Sequence, residues 1–185
     1  MTWFFVVLVS PLLISYFVIA LIFKDSPIMG FSQFLSLFPG KVGSYLRVAF
    51  YRFVFTQCDS EVVISFATIF SKQDTSIEKG VYIGPQCNIG MCHIGKNSLI
   101  ASGVHIMSGK NQHNFDDLFK PIQQQGGVFE KISIGDDSWI GNGALIMANI
   151  GKHCIIGAGS VVVSDVEDYS IMVGNPAKLV KKRKD

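Results

Sequence analysis

The chain has 185 residues, enough for one compact domain with an appendage and too few for two domains of ordinary size. Hydrophobic residues make up 49% of it, charged residues only 16%, and the formal net charge is +2. So small a positive balance excludes a strongly basic nucleic-acid-binding surface, and so apolar a composition points to one concentrated hydrophobic segment.

That segment comes first. Trp3 to Phe23 carries no charged side chain, and a helix rising about 1.5 Å per residue covers roughly 30 Å over that length, the thickness of a bilayer core. A cleaved signal peptide needs a basic stretch before the apolar run and a small-residue cleavage site after it. Neither is present, since the run ends at Lys24-Asp25-Ser26-Pro27, so residues 1–25 are expected to be a permanent membrane anchor. Lys24, Lys41, Arg47 and Arg52 lie on its C-terminal side, which favours the cytoplasmic face of the inner membrane for the remainder. Ser10-Pro11 inside the run removes a backbone donor, so a re-entrant hairpin stands beside a spanning helix as an expectation.

Residues 26–59 form the next unit. Phe31, Phe34, Leu35, Leu37 and Phe38, then Pro39-Gly40, then Tyr45, Leu46, Val48, Ala49, Phe50, Phe53 and Val54 suit two short amphipathic helices. These either lie at the headgroup level or pack on the base of the following domain. Cys58, Cys87, Cys92 and Cys154 contain no CxxC pair and read as small buried hydrophobes, kept reduced in the cytoplasm.

From residue 77 the dominant signal is a period of six. Aliphatic residues recur at Ile77, Ile83 and Ile89, at Ile94, Ile100 and Ile106, at Ile134, Ile140 and Ile146, and at Ile150, Ile156 and Val162, mostly followed by Gly or Ala. Four places on comes a small or modest residue, as in Cys87, Ser98, Ala144 and Ser160. Residues two apart on a strand share a face, so that residue and the next aliphatic one both point inward while the middle of each unit turns the chain. Three units per coil make a triangular prism whose coils are buried only by stacking. Recurring glycine and the wrong period exclude a helical reading.

These repeats, with Trp139-Ile140-Gly141-Asn142-Gly143-Ala144, Ile156-Gly157-Ala158-Gly159-Ser160-Val161-Val162 and Gly174-Asn175-Pro176-Ala177-Lys178, resemble the hexapeptide-repeat acyltransferases of the sugar or polysaccharide O-acetyltransferase type. The resemblance covers roughly residues 60 to 180, within an acyltransferase domain expected over 60–185. It implies a mainly β chain, a left-handed parallel β-helix that forms homotrimers, with a C-terminal cap over 168–185 containing a short basic helix.

One excursion breaks the period, from Met107 to Lys131, and long loops on rigid coils are where functional groups are usually placed. Transfer of an acyl group to a hydroxyl needs a base that works near neutral pH, and histidine is the side chain suited to it. His113 stands in that loop, matching the loop from which the resembled family supplies its catalytic histidine. Asp116, Asp117 or Glu130 is expected to orient its ring, unless the aspartates serve the turn alone. His93, beside a slipped corner, His105, at a turn position, and His153, in an outward turn, read as structural or solvated.

The donor side follows from the resemblance. Acetyl-CoA is implied to lie between subunits along the coils after the loop, near Gly141, Asn142, Ala158, Gly159 and Ser160. Lys178 is then placed near its phosphates, Trp139 as a wall, and a backbone N–H of residues 141 to 143 as the oxyanion donor. Lys178, Lys181, Lys182, Arg183 and Lys184 make a basic tail, either solvated or in contact with phosphates or anionic lipid. The expected acceptor is a sugar or lipid-linked glycan, with no metal and no nucleic acid among the partners. A non-catalytic scaffold for glycan assembly and a zinc lyase of the carbonic anhydrase type are the competing readings; for the latter no suitably spaced histidine pair is found.

Overall fold

The computed structural model describes residues 3–23 and 26–184; Lys24, counted in the charge asymmetry above, lies outside the described residues. The first helix, α1, spans Trp3–Ile22 and runs straight through Pro11. Proline leaves the Val7 carbonyl without a main-chain donor. Ser10 Oγ donates to that oxygen at 2.8 Å, and no re-entrant break forms there. Among the described residues this is the one helix long and apolar enough to cross a membrane.

One stripe of α1 is covered by α2 (Ile28–Ser36) and α3 (Gly40–Val54). The Phe5 ring meets Tyr45, while Tyr16 packs edge-on against Phe31 and Phe50. The opposite face, with Leu8, Ile14, Phe17 and Leu21, is exposed.

The first coil of the prism presents open strand edges, which must find hydrogen-bond partners. Helices α2 and α3 supply them. Ser44 Oγ accepts from the Ile64 N–H at 3.2 Å, Ser32 Oγ from the Phe70 N–H at 2.8 Å, and the Ser36 carbonyl from the Ala67 N–H at 3.0 Å. Arg47, fully buried, donates through Nε to Ile64 O and through Nη1 to Leu35 O and Phe38 O. Arg47, counted above among the charges that favour the cytoplasmic face, is thus an internal group; it ties the end of α2 and the turn after it to the coil. Helix α3 thus packs on the base of the β domain, with Leu46, Val48, Ala49, Phe50, Tyr51 and Val54 buried.

Above this cap the chain winds into a parallel β-solenoid. Three sheets run along it: one of four strands from Gln57–Cys58 to Ile132–Ile134, one of five from Ile69–Phe70 to Val161–Val162, and one of seven beginning at Val63–Ile64. The period of six explains the stacking. In the seven-stranded sheet Ile64, Ile83, Ile100, Ile140 and Ile156 lie in register, all fully buried. All four cysteines are buried and free.

The chain end departs from expectation. Lys178–Lys182 is not a helix but a strand, antiparallel to Ser170–Val173. Ser170–Val173 ends the parallel stack with an open edge, and the chain doubles back through Gly174 (φ +102°) to pair with it. Satisfying that edge outweighs the mixed preference of Lys-Leu-Val-Lys-Lys for a helix.

Candidate active site

The excursion over 107–131 leaves the solenoid after the strand His105–Ile106 of the five-stranded sheet and re-enters at Ile132–Ile134 of the four-stranded sheet. It is therefore rooted at the prism edge between those faces. Its limbs run side by side, with Glu130 N donating to Ser108 O, Val128 N to Asn111 O and Asn114 N to Gly126 O at 2.8 to 3.0 Å. Gly127 permits this approach, because a Cβ there would stand 1.9 Å from Gln112 O and 2.8 Å from His113 N. Gln125 closes the tip, accepting from the Asp117 N–H and donating to Asp117 O and Lys120 O.

His113 is exposed on this braced loop. The structure does not bring its expected orienting groups to it: among the described residues no hydrogen bond links the imidazole to Asp116, Asp117 or Glu130. Asp117 Oδ1 accepts from the Phe119 N–H at 2.9 Å, which is turn chemistry. Glu130 lies at the loop root against Gly109. The return limb is held from outside the loop, since Lys131 Nζ pairs with Asp74 Oδ1 at 2.5 Å and Lys72 Nζ lies 4.4 Å from the Phe129 ring centroid.

Two cavities flank the loop root. One of about 320 Å³ lies beside the coils after the loop, lined by Lys110, Glu130, Met147, Ala148, Val163 and Ser164 among others. The other, about 210 Å³, lies beside the coils before it and includes Asn88, His105 and Gln112. His105 is not at a turn: it faces outward from a strand, in register with Asn88 and Leu145. The period itself carries the signal that the sequence reading passed over, since His105 stands between the inward Val104 and Ile106. His93 also lies on a strand, with Nε2 at 3.4 Å from Glu78 Oε1. His153 occupies a corner at φ +56°, its Nδ1 at 2.9 Å from Asp137 Oδ2 and its ring stacked on Tyr169.

The residues assigned to the donor occupy a different edge. Gly159 N donates to Asn142 O at 2.8 Å, and Gly143 N to Ser102 O at 3.0 Å, so these corners stack in one column. Asn142, Ala158 and Gly159 are exposed there. Gly141 is buried and has no room for a side chain, since a Cβ would meet Ala158 N at 2.6 Å, and Ser160 is buried with its Oγ accepting from the Gly174 N–H. Gly141 N is already committed to Ile156 O, which narrows an oxyanion donor among residues 141 to 143 to Asn142. Ala177 N donates to Val161 O, bringing the exposed Lys178 to the foot of the same column. Trp139 stands on the neighbouring face, 51% exposed, in register with Leu99 and Ile155. In the tail, Lys182 Nζ pairs with Glu167 at 2.9 Å and Arg183 Nη1 donates to His153 O.

A family model described as "Hexapeptide repeat of succinyl-transferase" matches residues 131–164 and 147–178. A chloramphenicol acetyltransferase of Klebsiella aerogenes is 39% identical over 106 residues, aligning 49% of this chain with 50% of that one. The chain spans 30%, 59% and 50% of the lengths of the first three curated relatives it matches. Among solved structures, a maltose O-acetyltransferase from Clostridium difficile 630 shares the fold with a TM-score of 0.57 and 21% identity, over 85% of this chain and 87% of that one. An N-acyltransferase from Bacillus cereus, solved with dTDP-4-amino-4,6-dideoxyglucose and coenzyme A, gives 0.56 and 20%, over 67% and 71%. The chain thus carries the hexapeptide repeat of that family model, shares its solenoid with these solved acyltransferases, and is similar in sequence to acetyltransferases.

Proposed function

We propose that this chain transfers an acetyl group from acetyl-CoA to a sugar hydroxyl, with His113 as general base. The observation that carries the reading is the braced loop over 107–131, which carries His113 out from the edge of a stiff coil and has a cavity on either side of its root. The imidazole takes the hydroxyl proton as the oxygen attacks the thioester carbonyl, and the negative charge on that carbonyl is met by the Asn142 N–H. Collapse breaks the C–S bond, the imidazolium returns its proton to the departing thiolate, and the products are an ester and CoA. No covalent enzyme intermediate is needed.

His113 and the corner of Asn142, Ala158 and Gly159 lie on different edges of one prism. From Asn142 to Met147 the chain crosses a whole face, roughly 15 Å at about 3.3 Å per residue. A site using both groups then lies between copies, and we place it at the boundaries of a homotrimer. Two features support a second copy here: the exposed apolar column of Val63, Tyr82, Leu99 and Trp139, and an imidazole that bonds to no carboxylate among the described residues. Helix α1 would hold the assembly at the cytoplasmic face of a membrane, which favours a lipid-linked or nascent surface glycan as acceptor.

Incubating membranes that contain the protein with labelled acetyl-CoA tests this. Label recovered as an alkali-sensitive ester on a glycan is the expected product. Label that stays on coenzyme A, or no binding of acetyl-CoA at all, supports the scaffold reading instead.

A further inference from the structure

We propose that α1 does not cross the bilayer but lies flat on it, and that α1 with the flanking edges of α2 and α3 docks the base of the solenoid onto a leaflet containing anionic lipid. This deepens the membrane attachment proposed above and rests on it. The residues of α1 that meet the cap are spaced four and three apart. Phe5 meets Tyr45, Val9 is fully buried, and Tyr16 packs on Phe31 and Phe50. Leu12 and Ile19 border a groove with Phe31 and Phe34. Such spacing is one stripe of a helix, and from Phe5 to Ile19 it runs roughly 20 Å at about 1.5 Å per residue. Most of α1 is therefore clamped along its side rather than held at one end.

A spanning α1 would carry its clamp with it. Helices α2 and α3 would enter the hydrocarbon together with the first coil, to which Ser32, Ser44 and Arg47 bond them, and the turns and strand edges of that coil would meet no water there. Peeling α1 off the cap instead would uncover Phe31 and Phe50 to water and break the bond from the Tyr16 hydroxyl to Gln73. A helix lying at the boundary of headgroups and acyl chains incurs neither cost.

Helix α1 is apolar on every side, yet the cap covers one stripe and leaves Val7, Ile14, Phe17 and Leu21 exposed. The apolar face is wider than the helix. Phe34 borders the groove of about 450 Å³ beside Leu12 and Ile19, Tyr45 flanks Phe5, and both rings are exposed. Charge selects what covers this face. Among the described residues the three helices carry Lys41, Arg47 and Arg52 and no acidic side chain. Lys41 stands one turn before Tyr45 and Arg52 two turns after it, on the same side of α3, and both are exposed. Because Tyr45 touches α1, these two cations border the apolar face, where the phosphates of anionic headgroups complement them. Against a second copy of this chain they would meet like charges.

The test uses the full chain carrying Trp3→Phe and Trp139→Phe, which removes both native tryptophans, together with Val7→Trp, Ile14→Trp or Leu21→Trp. These three positions are exposed and seven apart, so they share one face of α1 and leave the clamp intact. Each protein is bound to vesicles of phosphatidylglycerol and phosphatidylcholine that include phosphatidylcholine brominated at a shallow or a deep acyl carbon, and quenching of the tryptophan is read. Expected is the same ratio of shallow to deep quenching at all three positions. Deep quenching of Ile14→Trp with shallow quenching of Val7→Trp and Leu21→Trp, the profile of a crossing helix, would overturn flat docking and leave membrane attachment intact. Absence of quenching at every position removes both, and self-association in detergent-free buffer would then name a second copy as the cover. Co-sedimentation reads the charge: Lys41→Gln and Arg52→Gln should each weaken binding to these anionic vesicles about fivefold and leave binding to vesicles of phosphatidylcholine alone unchanged. Binding of both variants to anionic vesicles as tight as that of wild type would refute the anionic leaflet.

Discussion

The Tyr16 hydroxyl donates to Gln73 Oε1 at 3.0 Å, joining the apolar helix to the same corner that grips the loop over 107–131. Lys72 and Asp74, on either side of Gln73, hold Phe129 and Lys131 of the loop's return limb. One three-residue stretch thus connects the apolar helix, the solenoid and the excursion that carries His113.

Asp74 makes this connection sensitive to acid. The Lys131 ammonium, and after it the Thr56 hydroxyl, hold its carboxyl below the usual carboxylate range. A group whose folded pKa is depressed contributes above its unfolded value and loses that contribution as pH falls through the folded one. Limited proteolysis within 107–131 is expected to quicken only as pH drops below the ordinary aspartate range. Asp74→Asn should give the faster cleavage already at neutral pH, and an Asp74→Asn loop as resistant as wild type would show that the pair does not hold the limb.

The two faces of α1 should respond differently to charge. A lysine at Phe17, on the exposed face, is expected to release the protein from lipid vesicles while leaving its melting temperature nearly unchanged. A lysine at Val9, which is fully buried against the cap, should instead lower the melting temperature in detergent, by burying an unpaired charge. Vesicle co-sedimentation and thermal melts separate these outcomes; equal vesicle binding by Phe17→Lys and wild type would contradict the membrane assignment.

Arg47→Leu should destabilise the chain by about 3 kcal/mol or more. It strips the donors from Ile64 O, Leu35 O and Phe38 O, and an unpaired buried acceptor costs ~1–3 kcal/mol. Recovering the desolvation of a buried guanidinium offsets part of that sum. Denaturant titration in detergent measures it, and a variant as stable as wild type would mean that the α2 end does not depend on this residue.

Burial pushes the Cys58 and Cys92 thiols up to about 12. Because the raised value disfavours the thiolate, which is the reactive form, both should resist a thiol reagent at pH 8 in the native protein. All four cysteines should react once the chain is denatured. Rapid labelling of Cys92 under native conditions would indicate a breathing core.

Much of this architecture was legible because inward positions recur regardless of what the chain does outside. Ile83, Ile100, Ile140 and Ile156 stack as their spacing predicts, and the one long departure from that spacing is the loop with His113. What escaped the sequence depended on partners distant along the chain. Arg47 looks like a surface charge until the carbonyls of Leu35, Phe38 and Ile64 surround it. Lys178–Lys182 prefers no single conformation strongly, and the open edge of Ser170–Val173 decides it. The cavity holding Ser71, Asn88, His105 and Leu145 joins four separate stretches of chain, which no local motif announces.

The account rests most heavily on His113. The rate of acetyl transfer from labelled acetyl-CoA to glycan should fall about a hundredfold or more in His113→Ala, with acetyl-CoA binding by calorimetry little altered. Turnover equal to wild type in that variant would contradict the assignment of the base and, with it, the chemistry derived from the loop.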